Sequence, residues 1–333
     1  MTRRAGQLAL VLFLAALLAL SCATTGPVAP AAGAAPTQAL PGPETAPGHD
    51  PGGALVLPPA RALALTQQDE AFLAARLSRL SYLVYYDEAA GLDARLARLA
   101  VGQANRYLQA REALPVIDFD RVVAARKDAG IEAGTSSAAA TRTPAFRRLC
   151  LSLGADVYLE LAFSVKSEVR EGKYYALAQG EARLREAATA SLLGTIPFEG
   201  QPSISPSSLD AAVTNAVTQA VWLAMPSITA RARDLLAQTL RRGLCYELVL
   251  DGSADRKAFE AFAKDLSARF REVVSVPALS GETDLLLFCF LDRPVVEAAI
   301  HEAAASSGFS AAGSTAAGST AVSGRLFRLG LTR

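Results

Sequence analysis

The chain has 333 residues, of which 51% are hydrophobic and 20% are charged, and its formal net charge is +1. This length accommodates about two domains. A nearly neutral chain lacks the long-range positive field with which proteins hold nucleic acid, so nucleic acid is not expected as a partner. Two histidines and four cysteines also leave few side chains for metal or nucleophile chemistry, and we expect no cofactor.

Residues 1–21 have the pattern of an export signal. Arg3 and Arg4 precede an uninterrupted apolar run from Leu8 to Leu20. A helix of that length extends only about 20 Å, well short of the ~30 Å hydrocarbon core of a bilayer. The run therefore indicates a signal peptide and not a spanning helix.

The end of this run, Ala19-Leu20-Ser21-Cys22, resembles the lipobox of bacterial lipoproteins. The resemblance implies that Cys22 is acylated, for example with palmitate, and becomes the mature N-terminus. Two or three acyl chains on one residue suffice for stable anchoring to a membrane. Ala23 after the cysteine implies delivery to the outer membrane. Leu is the usual residue where Ala19 stands, so simple cleavage of a soluble periplasmic protein and an uncleaved anchor remain open.

Residues 22–62 have the composition of a disordered tether. Nine of the seventeen prolines and six glycines lie between Ala23 and Arg61, and no aromatic residue lies between Phe13 and Phe72. Such a segment cannot bury enough apolar surface to offset the entropy of ordering it. About 40 residues of flexible chain reach some 35 Å. We therefore expect a folded part that is held near a membrane without lying in it.

Residues 63–243 predict a first α/β domain. The predicted elements are, in chain order, a helix from Thr66, a strand at Tyr82–Tyr86, a helix from Asp93, a strand at Val116–Phe119, helices at Asp120–Ala129 and Pro144–Leu153, strands at Val157–Ser164, Tyr174–Glu186 and Thr189–Phe198, and a helix from Ser207 to Arg242. The helical period could also continue through Tyr82–Tyr86. Ser207 and Asp210 predict a capping box, and Pro226 either kinks the last helix or starts a new one.

Residues 244–333 predict a second, smaller domain with a ferredoxin-like β-α-β-β-α-β order. Its predicted elements are strands at Leu244–Leu250, Val273–Val276, Asp284–Leu291 and Gly324–Leu331, with helices around Phe262 and from Asp292 to Ser306. Between Ser310 and Gly324 the sequence Ala-Ala-Gly-Ser-Thr occurs twice, which is too short to build a repeat fold and predicts a loop. The fold class predicted for the whole chain is α/β (α+β), a mixed-sheet domain followed by a ferredoxin-like domain.

Candidate catalytic residues are few. Asp118 and Asp120 flank Phe119 at the end of a predicted strand, and two carboxylates there could divide acid and base roles or hold a cation. The alternative is that Asp118 bonds turn amides and Asp120 caps the next helix. His301 could act as a general base, or it is a surface residue of the last helix, whereas His49 lies in the predicted tether.

Three cysteines remain once Cys22 is assigned to lipid, so at least one thiol is unpaired in an oxidising compartment. Cys245 and Cys289 lie in two strands that are neighbours in a ferredoxin-like sheet. They could form a disulfide, or both could be buried free thiols. Cys150 is interpreted as a core residue, since apolar residues flank it on its helix.

Several segments resemble an uncharacterised family of bacterial lipoproteins that is best represented in spirochaetes. The segments that carry this resemblance are Ser81–Tyr86, Asn105–Leu108, Val116–Asp120, Gly154–Glu160 and Gly243–Leu248. More distantly, part of the chain is similar to the envelope-assembly domains of the curli secretion lipoprotein, the TolB N-terminal domain and the flagellar assembly protein T. The resemblance implies action by protein contact and not by catalysis.

The leading hypothesis is a lipid-anchored periplasmic scaffold or assembly factor that contacts envelope proteins. The first alternative is a lipoprotein that binds peptidoglycan or a small ligand in a groove between the two domains. A third is an enzyme, which would need Asp118 and Asp120 to converge with another polar group in a cleft. The sequence does not identify the partner or the oligomeric state.

Overall fold

The computed structural model describes residues 64–86, 93–129, 131, 144–251, 256–276, 282–307, 310–311 and 324–332. The predicted signal peptide, Cys22, His49 and the tether lie outside the described residues, as does most of the predicted loop between Ser310 and Gly324. None of the helices in the described part of the chain combines the length and apolar character needed to span a membrane.

Seven α-helices and eleven strands lie within the described residues. The helices are α1 (Gln67–Leu77), α2 (Ala94–Glu112), α3 (Phe119–Asp128), α4 (Pro144–Leu153), α5 (Leu209–Thr239), α6 (Arg256–Arg269) and α7 (Arg293–Ser306), and a 3-10 turn (Leu240–Arg242) follows α5. The strands are β1 (Tyr82–Tyr86), β2 (Val116–Ile117), β3 (Val157–Arg170), β4 (Lys173–Glu186), β5 (Leu192–Glu199), β6 (Ser203–Ser205), β7 (Leu244–Asp251), β8 (Glu272–Val276), β9 (Glu282–Cys289), β10 (Ser310–Ala311) and β11 (Leu326–Thr332).

The first sheet has the strand order β2-β1-β3-β4-β5, and β6 pairs with β4 beyond the end of β5. β1 is parallel to both of its neighbours. Four of its five residues are buried, which is typical of a parallel strand covered on both faces and explains why Tyr82–Tyr86 is a strand and not a continued helix. β3 and β4 form a long antiparallel hairpin. It turns at Glu171 and Gly172, whose φ angles of 49° and 72° suit a tight hairpin turn.

Helices cover both faces of the first sheet. Residues of α2 and α5 share a core cluster with Tyr82 and Val84 of β1. Residues of α3 and α4 share a second cluster with Leu83 and Tyr85. The two clusters alternate along β1 because successive side chains of a strand point to opposite faces.

The long helix α5 differs from its prediction in two respects. Ser208, not Ser207, is its N-cap, and the Ser208 hydroxyl accepts a hydrogen bond from the Ala211 amide at 3.1 Å. The predicted capping box at Ser207 and Asp210 is therefore wrong, because the residue three positions after Ser208 is Ala211, which has no side-chain acceptor. The helix also continues through Pro226 to Thr239 as one element. Pro226 is exposed on α5, where water can solvate the carbonyl that loses its backbone partner.

The second sheet has the strand order β10-β11-β7-β9-β8. If β11 is taken as the fourth strand, this is the order that a ferredoxin-like unit gives to its four strands. One direction differs, however, because β11 is parallel to β7 and therefore antiparallel to β9. A simple crossover through α7 would have made β11 parallel to β9. The additional strand β10, which pairs antiparallel with β11, accounts for the reversal.

Helix α4 lies between the two sheets. Phe146, Leu149 and Cys150 pack on the first sheet, whereas Leu151 packs against Cys245 and Phe288 of the second. All the described residues belong to one compact unit.

The chain passes from the first sheet to the second at Gly243. Gly243 has a φ of 115°, and a Cβ atom there would lie 2.7 Å from the Cys289 nitrogen. The division into domains at 243 and 244 stays a prediction.

Candidate functional site

The carboxylates predicted as a polar site do not converge. Strand β2 ends at Ile117, two residues earlier than expected, and Asp118 is the N-cap of α3. Its Oδ1 atom accepts hydrogen bonds from the amides of Asp120 at 2.9 Å and Arg121 at 3.2 Å. Asp120 lies in the first turn with 78% of its side chain exposed, and its carboxylate is 3.8 Å from the Arg98 guanidinium. The capping alternative is the one observed, with Asp118 and not Asp120 as the cap.

The three described cysteines are buried and free. In the register of β7 and β9, Cys245 pairs with Phe288 and Cys289 pairs with Leu244. This offset of one residue places the two thiols on opposite faces of the sheet, so the suggested disulfide is wrong and the free-thiol alternative holds. Burial raises the pKa of Cys150 and that of Cys289 to about 12. Such thiols are inert at neutral pH. His301 is half-buried on α7, four residues after Glu297.

The far end of the β3–β4 hairpin carries two exposed apolar side chains, and each of them pairs with a partly buried tyrosine. We call Val169, Tyr174, Tyr175 and Ile204 the hairpin patch. Val169 pairs with Tyr174, and Ile204 of β6 pairs with Tyr175. Directly paired residues share a face, so each face of the ribbon carries one apolar pair. Val169 is 59% exposed and Ile204 is 55% exposed, whereas the residues of β3 up to Phe163 are buried.

A shallow groove of about 460 Å³ lies on the sheet formed by β3, β4 and β5. Its side chains include Ser164, Gln179, Glu181 and Glu199. The Glu181 carboxylate accepts a hydrogen bond of 2.6 Å from Arg183, so part of the acidic character is neutralised. The strands are close together here, because a Cβ atom at Gly180 would lie 2.2 Å from the Ala162 carbonyl oxygen.

A second groove, of about 370 Å³, lies between α2 and α5, and we call it the helix groove. Its lining residues are Gln103 and Arg106 of α2 and Asn215, Thr218, Gln219 and Trp222 of α5. Trp222 is the only tryptophan of the chain. Its ring packs edge-on against Tyr107, with 5.0 Å between ring centroids, and the Arg111 guanidinium lies 5.7 Å from its centroid.

Ion pairs join the two helices on either side of the helix groove. Arg95 in the first turn of α2 pairs with Asp210 in the first turn of α5. Near the end of α2, Glu112 accepts a hydrogen bond of 2.8 Å from Arg233. Glu112 also faces Tyr107, and burial together with the Glu112 charge raises the pKa of the Tyr107 hydroxyl. The residues that line the helix groove therefore lie between two ion pairs that join α2 to α5.

A buried ionic cluster, which we call the α4 clamp, consists of Arg147, Arg148, Glu247 and Asp284. Arg147 donates to the two Glu247 oxygens at 3.0 and 2.8 Å. Arg148 donates to Glu247 at 3.1 Å and to both Asp284 oxygens at 2.7 and 2.8 Å. All four side chains are at most 9% exposed. Burial and the Glu247 charge raise the pKa of Asp284. Burial opposes the charge on Arg147, but the hydrogen bonds to Glu247 together with the charges of Glu247 and Asp284 outweigh burial and raise the pKa of Arg147.

A further buried carboxylate, Asp156, joins three other elements. It accepts hydrogen bonds from the Arg76 guanidinium of α1 at 2.7 Å and from the Ser81 amide before β1 at 2.9 Å. Arg325, just before β11, lies 3.3 Å from it. Asp156 and the α4 clamp are thus part of the architecture. Both were missed in the sequence, although Arg147 and Arg148 inside an apolar helix pattern were a usable signal.

Within the described residues, no group of three or more His, Cys, Asp or Glu side chains is placed to hold a metal ion. No family model matches the chain, and no curated protein matches it.

Among solved structures, the chain is similar to lipoprotein GNA1162 from Neisseria meningitidis, with 12% identity over 46% of this chain and 99% of that one and a TM-score of 0.31. It is also similar to the LpoB C-terminal domain from Salmonella enterica (11% identity, 41% and 99% covered, TM-score 0.23) and to the hypothetical protein CT253 from Chlamydia trachomatis (14%, 48% and 96%, 0.27). The structural neighbours thus include bacterial lipoproteins. Identities and TM-scores this low assign neither a family nor a function.

Proposed function

We propose that this protein is a lipid-anchored scaffold or assembly factor on the periplasmic side of the outer membrane, and that it acts by binding another envelope protein. The hairpin patch is the observation that carries the proposal. Val169 and Ile204 are more than half exposed near the end of the β3–β4 hairpin. One of these exposed apolar side chains lies on each face of the ribbon, and exposed apolar surface at the end of a ribbon is a candidate site for protein contact.

The N-terminal sequence supports the envelope location. The lipobox-like ending at Cys22 provides the anchor, and the Pro-rich segment 22–62 provides a reach of about 35 Å. A patch on a tethered body has a high effective concentration near partners in the same membrane, which favours contacts of modest intrinsic affinity.

We also propose that the protein acts without catalysis. The carboxylates singled out for acid–base chemistry have other roles, since Asp118 caps α3 and Asp120 faces Arg98 on the surface. The buried carboxylates Glu247 and Asp284 are held by arginines within the α4 clamp. A carboxylate with such partners is not available to accept a substrate proton.

Site-specific photo-crosslinking in living cells tests the protein-contact proposal. The full chain is produced with a benzophenone amino acid at Ile204 or Val169 and, as a control, at Gln109, which is exposed on α2. We expect discrete adducts at positions 204 and 169 that are missing at position 109. Adducts that are missing at all three positions, or the same at all three, would contradict the proposal.

The anchor has a separate test. Metabolic labelling with a fatty-acid analogue is compared between the wild type and Cys22→Ala. We expect label in the membrane fraction for the wild type only, and loss of the hairpin adducts in Cys22→Ala. Equal labelling of the two proteins would rule out Cys22 as the lipid site.

A further inference from the structure

We propose that the helix groove binds an oligosaccharide that carries N-acetyl groups, the chemistry of a cell-wall glycan. The groove differs from the hairpin patch in position, shape and chemistry. Its volume of about 370 Å³ lies within the range of small-molecule sites, roughly 300–1,000 Å³. The choice of a glycan rests on the proposed envelope location, whereas the existence of the site rests on the geometry of α2 and α5.

The groove presents both hydrogen-bond donors and hydrogen-bond acceptors. Gln103, Asn215 and Gln219 each present an amide with two donors and an acceptor, and Thr218 presents a hydroxyl. No hydrogen bond or ion pair engages these four side chains within the described residues. The lining therefore fits a ligand in which donors and acceptors alternate, as hydroxyl and acetamido groups do.

Trp222 adds an apolar wall to this polar lining. A pyranose ring is apolar on its C–H faces and polar at its rim, so it matches an aromatic side chain that stands beside amides. Tyr107 and Arg111 hold the indole in place. Arg106 supplies the one positive charge of the lining, and a guanidinium binds a carboxylate in a bidentate manner. The groove thus also accommodates a glycan with an acidic substituent, such as a lactyl or peptide stem.

The site is preorganised. The Arg95–Asp210 and Glu112–Arg233 pairs bridge α2 and α5 on both sides of the groove, although the first pair is exposed and contributes little energy. The buried alanines and valines of α5 fix the helix against the first sheet. A ligand therefore binds without ordering the backbone, which reduces the free-energy cost of association.

The fluorescence of Trp222 reports on ligand binding in the helix groove, because the chain has no other tryptophan. The full chain bearing Cys22→Ala is titrated with a β-1,4-linked N-acetylglucosamine tetramer, with a muropeptide and with maltotetraose, and indole fluorescence is recorded. We expect saturable changes with the first two ligands and none with maltotetraose, which lacks acetamido groups. No saturable change at millimolar tetramer, or an equal response to maltotetraose, would overturn the proposal.

Variants assign the binding to the groove. We expect Gln219→Ala to weaken tetramer binding about tenfold, and Arg106→Ala to weaken muropeptide binding more than tetramer binding. Gln238→Ala, an exposed glutamine on the same helix outside the groove, is the matched control and should bind like the wild type. Circular dichroism verifies that each variant is folded. Unchanged binding by folded Gln219→Ala would place the ligand elsewhere. The hairpin crosslinks do not depend on this groove, so the two proposals fail separately.

Discussion

Arginine accounts for 28 of the 33 basic residues, and its planar guanidinium shapes the interior of this protein. Arg147 and Arg148 use several N–H groups each to hold two carboxylates that are fully buried. A lysine has a compact ammonium group and could not reproduce the bidentate contacts. Burying four charges carries a large desolvation cost, which offsets much of the attraction between the charges of the α4 clamp.

Removing one arginine from the α4 clamp should leave buried carboxylate charge without enough compensation. We expect Arg148→Met to lower the free energy of unfolding by about 3 kcal/mol, because Glu247 and Asp284 then share Arg147 alone in a buried site. Arg121→Met, at an exposed position of α3, is the control and should change the value by less than about 0.5 kcal/mol. Urea unfolding measures both. Similar values for the two variants would contradict the importance of the clamp.

Glu186 gives the protein a pH dependence with a defined sign. Burial raises its pKa above the ordinary value, although the Thr189 hydroxyl donates to its Oε2 at 2.7 Å. The folded state then binds the proton more tightly than the unfolded state. The favourable contribution is complete below about pH 4.5, where the unfolded glutamate titrates, and is lost as the pH rises through the folded pKa.

We therefore expect Glu186→Gln, which keeps an acceptor for Thr189 without the charge, to gain stability relative to the wild type as the pH rises. Urea unfolding at pH 5 and pH 8 measures the difference in the free energy of unfolding. A difference that is the same at both pH values, or that shrinks at pH 8, would show that Glu186 does not titrate in this way.

At the scale of single elements, α5 is fitted to the first sheet by small residues. Ala212, Ala216, Ala220 and Ala224 recur every fourth residue and are buried, and Ala176, Ala178 and Ala182 of β4 belong to the same core cluster. Residues at this spacing lie on one face of a helix. The approach is close, since a Cβ atom at Gly200 would lie 2.8 Å from the Ala220 Cβ.

A larger side chain in this stripe should therefore separate the helix from the sheet. We expect Ala220→Leu to lower the free energy of unfolding by about 1–3 kcal/mol through overpacking. Ala230→Leu makes the same change at an exposed position of α5 and should have little effect. Thermal and urea unfolding compare the pair, and equal stability of the two variants would argue against a close helix–sheet contact.

For the whole molecule, the decisive feature is the position of α4 between the two sheets. It is surrounded by protein on both sides, with Phe146 and Leu149 toward the first sheet and Leu151 toward the second. Hydrogen bonds from Arg147 and Arg148 reach β7 and β9. If either sheet separated from α4, buried side chains of α4 would become exposed to water. Because α4 also packs against the other sheet, that sheet would be destabilised as well.

The two sheets should therefore unfold together. Trp222 fluorescence reports on the layer above the first sheet, and the reactivity of the buried thiols Cys245 and Cys289 reports on the second. In a chain bearing Cys22→Ala and Cys150→Ala, we expect both probes to give the same urea midpoint. Thiol exposure at a lower urea concentration than the Trp222 transition would instead indicate two independent domains.

The sequence determined the local structure of this protein well. The helix that begins after Thr66 and the strand at Tyr82–Tyr86 lie where the sequence predicts them. Hydrophobic periodicity and turn chemistry are local properties, so neighbouring residues suffice to predict them. The α/β class and most elements follow from the same signals.

Only the tertiary structure decided which residues that are distant in sequence contact each other. The direction of β11, the opposite faces of Cys245 and Cys289, and the meeting of Arg148 with Asp284 across 136 positions leave no local trace. The helix groove likewise joins Arg106 of α2 to Trp222 of α5. A single sequence specifies which side chains are apolar or charged, but the choice of contacts depends on how the helices and sheets pack, which is a property of the whole chain.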